Sequence, residues 1–413
     1  MTDLAGVQRR TIVVLSAGQV LGGISFGATI SLGAVLAAKL SGDDALSGLA
    51  TASITLGTAV TAVPLTALAR ARGRRPALAT GMIVALAGVG LVVGAVAIGS
   101  FPLLLAGFAL IGAGQAANLQ SRFAATDLAT DATRGRDLSI VVWTTTVGAV
   151  LGPNLVGPGE VLGEAIGMPP LTGPYLFTVV SQLAGIALYL VALRPDPLVL
   201  AQRVVAAHDP TSERIVHADR PKAAGYAMLA VVGAHGVMVS IMAMTPIHLL
   251  HHGATLTVVG LTISLHIAGM YGLSPVFGLL ADRWGRVPTI LLGYGILAGC
   301  VAVIAFGQHD TTAVTVALVL LGLGWSAATV SGSALLTEAS AEDVRTKRQG
   351  RNDFAMSLVG GLGATGAGAV LATAGFNGLA LVGAAGHRGD GGAGPTGTPL
   401  SSLWWAGRAG SQG

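Results

Sequence analysis

Charge is what this chain has least of. Only 10% of its 413 residues are Asp, Glu, Lys or Arg, against about 25% in soluble domains. That excludes an ordinary soluble globular protein. With 52% hydrophobic residues and a mean hydropathy of +0.73, the chain reads as an integral membrane protein. Cysteine is nearly absent: Cys300, the single one, excludes an intrachain disulfide and leaves the redox compartment open. Inside an apolar run it is most simply a small buried side chain. Carboxylates are missing from the interiors of the apolar runs, where none of the 19 Asp and Glu residues falls; Asp282 and Glu338 stand at run ends. No Ser–His–Asp set, paired catalytic carboxylates, phosphate loop or Cys-x-x-Cys spacing stands out, so no enzyme is expected.

What is present is a series of apolar runs, each near the roughly 20 residues that a spanning helix needs. Eleven spans are expected, at 11–38, 45–69, 76–98, 101–123, 138–159, 173–193, 223–250, 256–281, 287–307, 312–337 and 354–375. The first is too long for a cleaved signal peptide. Nearly all of the 23 basic residues fall on one side if the N-terminus is cytoplasmic, the arrangement that the positive-inside rule requires. The basic residues lie between apolar runs, so the net charge of +4 does not point to nucleic acid. A cytoplasmic (inner) membrane is the expected location, with lipid as the surrounding partner and a monomer as the working unit.

Two pairs of loops repeat. "TALARARGR" and "GLLADRWGR" place Gly285 212 residues after Gly73, and the acidic stretches ending in Gly-Arg place Gly350 215 residues after Gly135. Nearly equal offsets imply a duplicated bundle. The expected organisation is an N-terminal helical bundle at 1–193, a central cytoplasmic loop at 194–222, a C-terminal bundle at 223–375 and a Gly/Pro-rich tail at 376–413. That tail is too rich in Gly, Pro and polar residues to cross a membrane, so a twelfth helix is expected to be degenerate or missing, with a disordered or frameshifted terminus in its place.

The second loop, with Gly278, Asp282, Arg283, Gly285 and Arg286, resembles the loop signature of the major facilitator superfamily. The resemblance implies an all-α membrane fold of two six-helix bundles, with the loop acting in gating. Glycine there allows close helix approach, and the Asp and Arg charges latch neighbouring helix ends. The first-half copy departs from the pattern, with Arg70 where the family usually has Asp, so its latch is lost or moved to the second half. In the fifth span Gly148, Gly152, Pro153 and Gly157 resemble the Gly–Pro motif of proton-coupled drug exporters. The plainer reading is a small-residue face for packing and kinking. The absence of intramembrane carboxylates weakens an exporter, although histidine can carry a proton instead.

Soft donors carry the chemistry. Met238 and Met242, four apart on the seventh span, share a helix face, as do His266 and Met270 on the eighth. The two spans are joined by a short outer loop and are expected to be antiparallel neighbours. Met238 and His266 each lie 15 residues from an inner end, about 22 Å into the membrane, where transporter sites belong. Thioether with imidazole selects soft or borderline metals, and Cu(I) above all; without carboxylate or thiolate, the set does not suit magnesium, calcium or zinc. Ordinary packing remains the plainer reading of either Met pair alone. At the outer end His248, His251 and His252 are spaced to gather metal at an entrance, or to sit as interfacial polar groups. His235, three residues before Met238, fits a second-shell group, a proton carrier or packing. Met244 is out of phase with Met242.

The double motif resembles that of the CcoA-like copper importers, a branch of the same superfamily. The resemblance implies Met238, Met242, His266 and Met270 as ligands to copper as transported substrate. It also implies import into the bacterial cytoplasm, release to a cytoplasmic copper chaperone, and supply of haem–copper oxidases of the cbb3 type. No other cofactor is expected. The alternative is a carrier of a small organic substrate, either a vitamin importer or an exporter.

Overall fold

A computed structural model describes residues 4–43, 46, 48–207, 219–254 and 256–385, without side chains at some positions, among them Pro153, Met244, His251 and residues 364–385. The described residues form fourteen helices and no strand. In the first half these are α1 (Leu4–Ser41), α2 (Gly48–Arg72), α3 (Arg74–Ile98), α4 (Phe101–Ala124), α5 (Arg134–Asn154), α6 (Val156–Ala165) and α7 (Tyr175–Ala192). A short α8 (Pro197–Ala207) lies in the connection expected at 194–222. The second half comprises α9 (Pro221–His251), α10 (Leu256–Tyr271), α11 (Ser274–Arg283), α12 (Arg286–Gly307), α13 (Thr311–Glu338) and α14 (Glu342–Ala385).

Nine described helices are long and apolar enough to cross a membrane, or ten when α5 and α6 count as one bent span. The bend is 52°. It falls in Gly152–Pro153–Asn154–Leu155, where proline supplies no amide to the helical ladder. The run expected at 138–159 is therefore not one straight helix. The run expected at 256–281 forms one span, Leu261–Arg283, with a short interruption between Tyr271, where α10 ends, and Ser274, where α11 opens. The last expected span lies inside α14, a helix of 44 residues that starts well before residue 354 and continues past 375. Its opening residues Glu342 and Asp343 suit the positive end of a helix dipole. The tail from 386 onward, and with it the expectation of disorder or a frameshift, lies outside the described residues.

Small residues set the helix spacing. In the fifth-span motif, Gly148 meets α1 at Gly23, and a Cβ on Gly148 would lie 2.6 Å from the Gly23 Cα. Gly157 has open space around it, so close packing belongs to the first part of that motif. In the second half α13 is the platform: α9, α10 and α12 all pack against it. Across the halves, α2 packs on α14 and α5 on α11.

Candidate functional site

The helices that carry the donor residues, α9 and α10, both pack on α13. Met238 and Met270 are 4% and 7% exposed and share one buried cluster with Leu297, Cys300, Leu318 and Trp325, while Met242 packs partly buried at its edge. His266 is fully buried. Its position follows from a glycine: α10 crosses α13 at Gly322, where a Cβ would collide with the His266 carbonyl and lie 2.8 Å from the Met270 nitrogen. This close approach puts the His266 Nδ1 2.8 Å from the Leu318 carbonyl. A carbonyl only accepts, so Nδ1 carries the proton and Nε2 is left as a bare lone pair. That Nε2 is buried with no hydrogen-bond partner. An unsatisfied buried polar atom costs about 1–3 kcal/mol, and an imidazole anchored to a carbonyl through its other nitrogen is how metal-ligating histidines are held.

One expectation about this site is corrected. The helices carrying the two donor pairs, α9 and α10, are not packed side by side; they touch only marginally, and each leans on α13. Gly322 of α13 receives α10 closely, so Met238 and Met270 share a cluster built on α13 rather than a direct α9–α10 seam. His235 is held by Trp325, whose Nε1–H donates to His235 Nδ1 at 3.1 Å. Its Nε2 faces α14 at Gly360, where a Cβ would lie 2.8 Å away. Cys300 is buried and free.

At the opposite end of α9, His248 is buried, with Nε2 2.7 Å from the Gln308 carbonyl. His252 places Nδ1 2.9 Å from the His248 carbonyl and Nε2 3.2 Å from Nδ1 of His309. The side chain of His251 lies outside the described residues. Sequence spacing did not bring His309 into the group, since it stands 57 residues from His252 and meets it only because the α12–α13 connection folds onto the end of α9.

The arginine-rich face closes the two halves together. The carboxylate of Asp282 accepts from the backbone N–H of Gly135 and Arg136 at 2.9 and 2.8 Å, an anion seated at the start of α5. Arg286 pairs with Asp282 and donates to the Asp131 carbonyl at 2.8 Å. Gly278 lies against Ser139 and Gly135, where a side chain would collide; Gly285 has φ 102° and caps α12, a conformation that favours glycine. Arg283 is exposed. In the first-half copy Gly73 repeats this conformation at φ 96°. There Arg70 lines a surface cavity with Glu342 and Asp343 at the start of α14, Glu342 pairs with Arg345 of its own helix, and Arg74, at the position of Arg286, pairs with Asp127.

Two further contacts bridge the halves. Arg74, buried and paired with Asp127 at 2.8 Å, donates to Gln349 on α14 at 2.7 Å. Arg122 on α4 pairs with Asp353 on α14 at 2.5 Å, and the Asp353 side chain is fully buried. α14 begins at Glu342, so Asp353 lies within that helix, directly before the apolar run expected at 354–375. Within the second half, Arg348 grips Asp219 with both terminal nitrogens and, with the Ala341 amide, holds its carboxyl below the ordinary range.

Comparison with known proteins fits this architecture. The profile of the Major Facilitator Superfamily matches residues 15–364. The chain is 38% identical over 385 residues to an uncharacterised MFS-type transporter, YdeG of Bacillus subtilis, covering 91% of this chain and 89% of that one. It is 31% identical over 358 residues to the riboflavin transporter RfnT of Brucella anthropi, covering 86% and 87%. Its fold matches the human organic anion transporter MFSD10 with a TM-score of 0.71 at 16% identity, over 91% of this chain and 98% of that one. The relatives and the fold are those of transporters and not of enzymes. With its apolar helices, its glycine-capped loops and a profile match over most of its length, the chain belongs to the major facilitator superfamily and is a multi-pass membrane transporter.

Proposed function

We propose that this transporter imports copper, as Cu(I), across the bacterial inner membrane by alternating access and supplies it for assembly of haem–copper oxidases through a cytoplasmic chaperone. The observation that carries the reading is the bare Nε2 of His266, buried without a partner and one helical turn from Met270, which shares a cluster with Met238. A neutral set of thioethers and one imidazole suits Cu(I) and disfavours hard cations. Neutral ligands also hold the ion without the tight binding of thiolates, so that it can leave.

All four donors belong to the second half. Movement of the first half against it would open the site to one side and then the other. With the arginine-rich face taken as cytoplasmic, Asp282 on the start of α5, Arg74 on Gln349 and Arg122 on Asp353 hold that side shut. Inward release requires all three to part.

A second reading has its own support. The riboflavin transporter relative carries an organic substrate by name, and the first half holds a small cavity lined by Ser25, Gln115, Asn118 and Gln182. Gln182 donates to Ser25 Oγ at 2.9 Å while its Oε1 is buried without a partner, an acceptor suited to a solute N–H or O–H.

Cells expressing the protein, compared with empty-vector cells, are expected to accumulate radioactive copper at least several-fold faster and labelled riboflavin at the background rate. Riboflavin uptake without copper uptake would replace the first reading by the second.

A further inference from the structure

We propose that His252 and His309 form a second metal site at the end of α9 remote from the arginine-rich face, one that takes a borderline divalent ion, Cu(II) or Zn(II). The pair is assembled by the fold. His248 ties α9 to the α12–α13 connection through its contact with the Gln308 carbonyl at 2.7 Å, and the next residue of that connection is His309. His252, directly after the end of α9, is then oriented by that helix: its Nδ1–H donates to the His248 carbonyl at 2.9 Å, which makes Nε2 the lone-pair nitrogen. This is the carbonyl anchoring that fixes a ligating imidazole, and it repeats the anchoring of His266 on Leu318.

The second nitrogen stands where a second ligand belongs. His252 Nε2 and His309 Nδ1 are 3.2 Å apart. Two nitrogens at that separation, each about 2.0–2.1 Å from one ion, subtend an angle of about 100°, between the square-planar and tetrahedral values. Without metal, His309 donates its Nδ1 proton to His252. With metal, His309 carries that proton on Nε2, so neither ring gains or loses one. Both side chains are exposed, which leaves the remaining coordination positions to water. The neighbouring carboxylate, Asp310, is committed to capping α13 through the amides of Thr312 and Ala313 at 3.0 and 3.2 Å. A nitrogen-only set favours copper and zinc over magnesium and calcium.

The site stands apart from the thioether cluster in place and in chemistry. His252, at the end of α9, stands about 21 Å of helical rise beyond Met238, and imidazole without sulfur prefers the divalent ions that thioethers do not. Its existence does not depend on copper being transported.

The test is titration of purified, untagged full-length protein with Cu(II), read by electron paramagnetic resonance, with Zn(II) as competitor. The first equivalent is expected to show coupling to two imidazole nitrogens and to be displaced by Zn(II). Its affinity should fall at least tenfold in the double variant His252→Ala, His309→Ala and stay unchanged in His266→Ala. An identical spectrum and affinity in the double variant overturns the proposal. The single variant His309→Gln, which keeps the α9 end intact, should reduce the coupling from two nitrogens to one; two retained nitrogens would overturn it as well.

Discussion

Copper uptake is expected to fall to background in His266→Ala and in His266→Gln at matched membrane levels. The glutamine variant is the sharper of the two. Its amide can occupy the volume of the ring and still reach the Leu318 carbonyl, but it offers no imidazole lone pair in place of Nε2, the buried atom that has no partner in the protein. Met238→Ala is expected to match it, because Met238 is among the most buried donors. Met270→Ala and Met242→Ala should each reduce uptake, Met242 least, since it stands at the edge of the cluster. Gly322→Ala supplies an independent check. It removes no donor, yet a Cβ there collides with the His266 carbonyl, so α10 must shift from α13 and uptake should fall several-fold. Normal uptake in all of these variants would leave the cluster as packing.

The second large effect concerns the arginine-rich face. Asp353→Asn removes the partner of Arg122, leaving a guanidinium buried with no counter-charge between α4 and α14. Breaking a buried pair in this way costs about 3–5 kcal/mol, roughly a hundredfold or more in an equilibrium constant. The closed arrangement bears that cost, so the variant should populate the conformation open on that face. Thr66 reports on it, because it lies against Gly350 across the two halves. With Cys300→Ser as background, a cysteine replacing Thr66 should react slowly with a water-soluble thiol reagent. Adding Asp353→Asn should speed the reaction on the order of a hundredfold. The double change Arg122→Met, Asp353→Leu removes both charges and should restore slow labelling. Equal rates in all three would mean that the pair does not hold the face shut.

Most of the spans and the glycines at 73 and 285 were legible because each rests on local chemistry: apolar runs must be helical in lipid, and a cap at positive φ favours glycine. The donor spacing within each helix was legible for the same reason. What lay beyond reach depends on contacts distant in sequence. That α13 lies between the two donor helices follows from how Gly322 receives α10, and no periodicity encodes which helices a glycine face will meet. His309 and the Leu318 carbonyl join their histidines through folding alone. Asp353 was placed outside a span because the apolar run begins after it, whereas the helix begins at Glu342 and Arg122 neutralises the carboxylate from the other half. The bend at Pro153 was foreshadowed by the proline, but its size was not.

The most direct measurement is X-ray absorption at the copper edge of purified protein holding one equivalent of Cu(I) under anaerobic conditions. The account predicts a first shell dominated by sulfur with nitrogen present, losing sulfur in Met238→Ala and nitrogen in His266→Ala. A shell of light atoms only, or one unchanged by both substitutions, would contradict it.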